Sequence, residues 1–478
     1  MRPVISRQMF LRGAAGALAT SALFPTVRAG ADPTGWSSLA AAIGGRVLLP
    51  GGGSFTQGKQ VFNSRYDGSN PAAVVTVATP ADVQKAVAFA VANKLKIAPR
   101  GGGHSYVGAS TAPGTMVLDL RGLAGRVSFD GATGDVTVPA ATDLYAVHQA
   151  LAGARRAIPT GSCPTVGTAG LTLGGGMGAD SRHAGLTCDA LKSATVVLPS
   201  GDAVTASGED HPDLFWALRG GGGGNFGVTT SMTFATFPTA DSDVVRVEFS
   251  PSAAAQVLVG WQAWLAAADR NTWGFVDLSV GSTKANCHVL ATCPAGAGPA
   301  VANAIKSAVG AQPSGIENKT LSHADLVMFL AGGSSTSSPR AFVAGSDVIG
   351  TMNTAAARAI VSAIGSWPPA AGRASVIVDT LSGAVGDVDP GATAFPWRRQ
   401  CGVAQWYVET AGGGQVSTAT KWLSDAHHAV QQFSVGGYVN YLEVNTAAAR
   451  YFGPNLSRLA AVRQKYDPSR VMFSGLEF

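Results

Sequence analysis

Three glycine runs, 101–103, 174–176 and 220–224, most limit what this 478-residue chain can fold into. Each breaks into sequence that otherwise reads as regular structure, so each marks a loop or a close approach of backbone to something else. The 61 glycines have no three-residue period, which excludes a collagen-like rod. Two glycine-rich segments also carry a nucleophile. Arg100-Gly-Gly-Gly-His-Ser105 presents His104, and Gly161-Ser-Cys-Pro-Thr-Val-Gly-Thr-Ala-Gly170, running into Gly174-Gly-Gly176, presents Cys163. Taken singly, a GGGH run is usually a turn and a lone cysteine is usually a small buried hydrophobe. Taken together, they suit a bulky anionic cofactor. Backbone N–H groups can approach it at glycine, and a histidine and a cysteine at two edges of one flat ring could each bond to it.

The chain is too long for one simple core, which predicts two domains. Only 13% of its residues are charged and 46% are hydrophobic, as suits a well-buried fold rather than a disordered chain. The sequence pI of about 9.0 misleads. Arg2, Arg7, Arg12 and Arg28 lie in residues 1–31 with no acid, and the remainder carries 30 basic against 29 acidic residues. That balance, with no basic stripe, gives no electrostatic case for nucleic acid. The basic start, the apolar stretch Gly13 to Pro25 and the small residues around Ala29 and Ala31 read as an export signal, too short to span a bilayer. Ser6-Arg-Gln-Met-Phe-Leu-Arg12 is similar to a twin-arginine pattern, with Gln8 in place of the second arginine.

Exported proteins can form disulfides. Cys287 and Cys293, however, sit in one apparent strand, which would hold their Cα atoms about 20 Å apart, against the roughly 7 Å a disulfide tolerates. An odd count of five leaves at least one cysteine over. No spaced His/Cys/Asp cluster predicts a metal site, and no Gly-x-Ser-x-Gly motif predicts a hydrolase elbow. Gly174-Gly-Gly-Met-Gly178 lacks the strand–turn–helix frame and the downstream acid of a dinucleotide fingerprint.

Along the chain, Val74 to Val77 reads as a strand, and Thr79-Pro80 with Asp82 opens a helix with Val83, Val87 and Val91 on one face. Further strands are expected at 95–97, 116–120 and 135–138, a hairpin over 194–205, and a helix over 211–218. After Pro238 the glycine runs thin out, and helices alternate with strands such as 244–249, 273–280 and 374–378. Beyond Gly436 the earlier style returns, with Tyr438-Val-Asn-Tyr-Leu-Glu443 as an expected strand.

Motifs in fixed order tie these pieces together. Beside the two nucleophile loops stand Asp213-Leu-Phe-Trp-Ala-Leu-Arg-Gly220, Asn225-Phe-Gly227, and the tail motifs Tyr451-Phe-Gly453, Arg458-Leu459, Tyr466-Asp-Pro468 and Phe473. The set resembles the berberine-bridge-enzyme-like FAD-linked oxidases of the vanillyl-alcohol-oxidase superfamily. That resemblance implies an α+β, two-domain PCMH-type FAD-binding fold. It would comprise a signal peptide over 1–31, an FAD domain over 32–237 completed by 435–478, and between them a substrate domain over 238–434 made of an antiparallel sheet with helices.

It also implies FAD held bicovalently by His104 and Cys163. The cofactor would be cradled by Arg100, Gly101, Gly102, Gly103 and Ser105 and by Gly161, Ser162, Val166, Gly167 and Gly170. Gly174, Gly175, Gly176 and Gly178 would follow, then Asn225, Phe226, Gly227 and Val228, with Tyr438 and Asn440 from the tail. The implied reaction is hydride transfer from an alcohol, sugar or hemiacetal carbon to flavin N5, with O2 reoxidising the flavin to give H2O2.

Such a transfer needs a base for the hydroxyl proton. The resemblance puts Tyr441 there, helped by a nearby cation such as Arg398 or Arg399, since a phenol titrates near 10. On the expected strand, Glu443 shares the face of Tyr441 and could position it or a substrate hydroxyl. Cys401 falls, in ungapped alignment, where alkaloid-cyclising relatives carry a catalytic glutamate, which argues against ring closure. Gln405 and Tyr407 could line the pocket. His427 and His428 read as surface residues of a polar helix. The alternatives are a secondary-metabolite dehydrogenase or cyclase on the same scaffold, and a non-catalytic binding protein.

Overall fold

The Thr79-Pro80 signal is realised in full. In the computed structural model, Thr79 Oγ1 accepts from Asp82 N, the Asp82 carboxylate accepts from Thr79 N, and the helix runs Pro80–Ala92. The structure describes residues 35–478 except 124, 282–284 and 412. The expected export segment, 1–31, lies outside the described residues.

The Pro80–Ala92 helix follows the strand Ala73–Thr76, which lies in a four-stranded sheet. Ala73–Thr76 and Ile97–Arg100 both run parallel to the central strand Met116–Asp119. The C-terminal tail joins this sheet. Ile97 N donates to Val471 O, and Phe473 N donates to Ile97 O, each at 2.8 Å. A second sheet of five antiparallel strands contains the expected hairpin, Leu191–Val197 with Ala203–Ser207. These sheets share one core that draws on residues 36–234 and again on 442–476.

A separate core fills residues 245–430. Its frame is an eight-stranded antiparallel sheet. Strand alternation divides the labour here. Val276, Leu278, Val289, Ala291, Val376, Val378, Ala404 and Trp406 face the core, which is shared with the helices Ala254–Ala267, Gly298–Val309, Thr354–Gly365 and Gly413–Val430. The intervening residues Phe275, Asp277, His288, Leu290, Ile377, Asp379, Val403, Gln405 and Tyr407 face a cavity instead. Cys287 and Cys293 lie on one continuous strand, Asn286–Pro294, and both are free, as their spacing requires.

The two halves are joined by buried polar contacts. Arg398, with a fully buried side chain, makes two hydrogen bonds to Asp189, at 2.7 and 2.8 Å. Asn63 Nδ2 donates to Phe342 O, and Phe342 N donates back to Asn63 Oδ1.

Candidate active site

The first glycine loop is fixed at its root. Arg100 turns away from the cavity and its Nη2 donates to Asp119 Oδ2 at 2.7 Å and to Gly58 O at 2.5 Å. Arg100 is therefore a buttress of the strand end and not a cofactor contact, a correction to the sequence expectation. Beyond it, a Cβ on Gly102 would lie 2.4 Å from Gly167 N, so the two nucleophile loops pack backbone against backbone. That contact brings their side chains together. His104 Nε2 lies 2.9 Å from Thr165 Oγ1, and Cys163 Sγ lies 3.9 Å from the same hydroxyl. The His104 ring stacks on Phe62 at 4.1 Å. Burial pushes its pKa down to about 4, so at neutral pH the ring is uncharged and keeps a lone pair. Cys163 is half-buried.

These loops form one wall of a cavity of about 880 Å³. Gly101, Gly102, Gly103, His104, Ser105, Gly161, Ser162, Cys163, Val166, Gly167, Gly170 and Gly178 all line it, as do Asn225 and Gly227. Gly222, Gly223 and Gly224 join them from the third glycine run. The cradle suits a large flat anion. At Gly101 and Gly170 a Cβ would meet no atom closer than 3.9 Å, so side chains there would occupy cavity space. With a neutral imidazole and a thiol beside this cradle, the residues present fit FAD.

Other expected cofactor contacts are placed elsewhere. Phe226 is core and Val228 is a buried strand residue. The Gly174–Gly176 run makes room for protein. A Cβ on Gly174 would lie 2.0 Å from Asn440 Oδ1, and one on Gly176 would lie 2.1 Å from Thr187 Oγ1. Gly175 packs against Phe395 and Tyr438. This run is a socket for the C-terminal tail. Gly176 N donates to Tyr438 Oη at 2.8 Å, and Asn440 Nδ2 donates to Tyr438 Oη and to Leu171 O.

The C-terminal tail supplies the tyrosine. Residues 438–443 are not a strand. Val439–Tyr441 is a single 3-10 turn, with Tyr441 N donating to Tyr438 O. The turn aims Tyr441 into the cavity between two rings, stacked on Tyr106 at 5.2 Å and edge-on to Tyr438 at 4.9 Å. Gln405 Nε2 donates to Tyr106 Oη, and Tyr407 stacks on Phe342 while lining the cavity. Burial, reinforced by Tyr106, Tyr438 and Asp379, pushes the Tyr441 phenol well above its ordinary value.

No arginine offsets that rise. Arg398 is committed to Asp189, and Arg399 is exposed. The group that sequence reasoning missed is Asp379, on the strand Ala374–Thr380. It lines the cavity, accepts from Trp273 Nε1 at 2.9 Å, and burial lifts it to about 7. Cys401 does not line the cavity; its thiol is pushed up to about 12 by burial. The carboxylate held by Trp273 therefore comes from the neighbouring strand, and Asp180 and Asp277 line the cavity as well.

Glu443 also departs from expectation. The turn carries it away from the cavity, where its Oε2 lies 2.7 Å from His427 Nε2 and its Oε1 accepts from Ser346 N. His427 Nδ1 lies 2.7 Å from Asp347 Oδ2, and Asp347 also accepts from Trp406, Ser434 and Arg450. His427 is thus clamped between two carboxylates rather than left on the surface; His428 is exposed. Burial opposes its charge, but the two carboxylates outweigh that and raise it to about 9.

A glycine-lined cradle spanned by a nucleophile pair on one side and roofed by an antiparallel sheet on the other is the arrangement of a PCMH-type, FAD-dependent oxidoreductase. The comparisons agree. The FAD binding domain family matches residues 71–207, and the "Berberine and berberine like" family matches 437–473. The chain therefore carries an FAD-binding domain and a berberine-like C-terminal segment, and its relatives are FAD-linked oxidoreductases. It is 28% identical to the FAD-linked oxidoreductase YgaK of Bacillus subtilis over 84% of this chain and 89% of that protein. It is 38% identical to the xylooligosaccharide oxidase of Thermothelomyces thermophilus over 43% of this chain and 42% of the other.

Among solved structures, Physcomitrella patens BBE-like 1 superposes with a TM-score of 0.83 at 26% identity, covering 91% of this chain and 97% of its own. The glucooligosaccharide oxidase of Acremonium strictum, described as carrying 6-S-cysteinyl, 8α-N1-histidyl FAD, superposes at 0.82 with 24% identity, covering 91% and 97%.

Proposed function

We propose that the protein oxidises a hydroxyl-bearing carbon of a sugar, hemiacetal or related alcohol, using FAD bonded to both His104 and Cys163, with O2 as the final acceptor and H2O2 as the product. The observation that carries this reading is the convergence of His104 and Cys163 on one hydroxyl, that of Thr165, in the cavity that Tyr441 and Asp379 also line. With its Nε2 engaged by Thr165, His104 has Nδ1 left for attachment.

FAD, when bound, supplies the hydride acceptor. The chain's own residues must then remove the hydroxyl proton. Tyr441 Oη is the acceptor of that proton, and because its pKa is raised it remains a phenol until it does so. Its own proton has to leave at the same time, and we assign Asp379, which lines the same cavity and titrates near neutrality, as its acceptor. The oligosaccharide oxidases among the relatives support a carbohydrate or similar substrate. Export through residues 1–31 belongs to the same proposal and is read by the N-terminal sequence of protein recovered outside the cell.

The test is acid precipitation of purified protein, followed by peptide mass analysis and an H2O2 assay over sugars and alcohols. Flavin retained in the pellet on peptides containing His104 and Cys163, with peroxide formed from at least one hydroxylated substrate, is expected. His104→Ala and Cys163→Ala should each keep flavin through the other link, and the double variant should release it on denaturation. Covalent flavin in the double variant would overturn the attachment.

A further inference from the structure

We infer that the substrate of this cavity carries an apolar substituent, aromatic or alkyl, beside its hydroxylated part, as an aryl or alkyl glycoside does. The inference rests on the cavity being the substrate chamber of the oxidase proposed above.

The sheet's front face sorts its residues by register. Trp273, whose Nε1 holds Asp379, touches Phe275 ring to ring at 5.4 Å, and Phe275 pairs across the sheet with Leu290. An apolar strip thus begins at the carboxylate and runs sideways from it. The helix His323–Leu330 extends the strip. Its Val327, Phe329 and Leu330 line the same cavity, and Phe329 and Leu330 belong to one small cluster with Leu290 and Phe275.

This wall is preformed. Asp180 Oδ2 lies 3.2 Å from His323 Nε2 at the helix start, Ser322 caps it, and Lys319 Nζ sits 3.6 Å from the Phe329 ring centroid. Yet Phe275, Val327, Phe329 and Leu330 are only half-buried, so apolar area is left facing the cavity. An apolar group seated there gains free energy in proportion to the area it covers. A sugar hydroxyl seated there would lose water and find no partner.

The next residues along the same strands are polar. Asp277 pairs with His288, and Asn286 and Gln405 also line the cavity. Asp277 Oδ1 has no hydrogen-bond partner, and Arg373, 3.9 Å from Asp277 Oδ2, lines the cavity beside it, so this wall is charged as well as polar. One wall therefore offers hydrogen bonds and the adjoining strip offers none, which matches a substrate with one hydroxylated and one apolar part. The reaction is unchanged. A C–OH becomes C=O, the hydride goes to FAD and the proton to Tyr441.

The experiment titrates the flavin-loaded enzyme, without oxygen, with methyl, octyl and phenyl β-glucoside and with cellobiose, following the perturbation of the oxidised flavin's absorbance. Octyl and phenyl glucoside are expected to bind at least about tenfold more tightly than methyl glucoside or cellobiose. Phe329→Ser and Leu330→Ser should each erase that advantage and leave methyl glucoside binding unchanged. Equal binding across the series, no perturbation by any member, or variants that weaken every ligand alike would overturn the inference. Flavin reduction is scored separately. A binding preference without reduction by any alcohol or sugar overturns the oxidase reading alone, and reduction by plain sugars without a preference overturns this inference alone.

Discussion

In the proposed reaction Tyr441 is a poor base by its pKa and depends on its place in the cavity. A phenol raised above 10 cannot wait as phenolate at neutral pH, so its usefulness depends on handing its proton on. Tyr441→Phe is expected to retain flavin and to lose turnover by about 100-fold or more, as read by steady-state rates beside the visible spectrum. If Asp379 takes the second proton, it must be ionised first. The wild-type kcat/KM should then rise as pH passes through about 7, and Asp379→Asn should flatten that rise and lower the plateau; a pH–rate profile of both proteins checks this. The nucleophile pair was legible in the sequence because each residue sits inside its own glycine motif. Asp379 was not. It stands in an ordinary strand, Ala374–Thr380, and only the pairing of that strand with its neighbours brings it into the cavity.

At the level of elements, the turn at 438–443 shows how tertiary contacts override local pattern. Tyr-Val-Asn-Tyr-Leu-Glu alternates and is rich in strand-favouring residues. The backbone turns instead because Tyr438 and Asn440 plug the Gly174–Gly176 socket while Glu443 is drawn to His427. By contrast, Pro80–Ala92 and Trp273–Val280 were readable because their signals, a capping box and the alternating Val276-Asp-Leu-Ser-Val280, are contained in the segment itself.

The His427 clamp could not be read locally, since Asp347 lies on a distant strand and a histidine on a polar helix ordinarily faces water. With a folded pKa of about 9 and an unfolded value near 6.5, the clamp contributes fully below pH 6.5 and is lost as pH rises through 9. Its size is at most about 3 kcal/mol. His427→Gln should therefore lower the urea midpoint at pH 6, and the gap to wild type should close toward pH 10. Because Glu443 anchors the far end of the catalytic turn, the same variant should also slow turnover without releasing flavin.

Across the whole molecule, the five cysteines make a simple count. All are free, and four of them, Cys188, Cys287, Cys293 and Cys401, lie off the cavity. Denatured flavin-bearing protein should titrate four thiols, and protein carrying His104 as its only flavin link should be prepared as Cys163→Ala and titrate four as well. Flavin-free wild type should titrate five. Any lower number would reveal a disulfide that the strand Asn286–Pro294 forbids for Cys287 and Cys293.

The tail also sets a schedule for biosynthesis. Both nucleophiles, His104 and Cys163, emerge from the ribosome early, on loops in the first half of the chain. The Gly174–Gly176 socket stays empty until Tyr438 and Asn440 appear, and the outer edge of the Ile97–Arg100 strand has no partner until Val471 and Phe473 follow. The cradle is therefore completed only by the last residues made. Closure of the cradle is a post-translational event, and a nick near the C-terminus would leave a chain with both nucleophiles and no closed site to hold them.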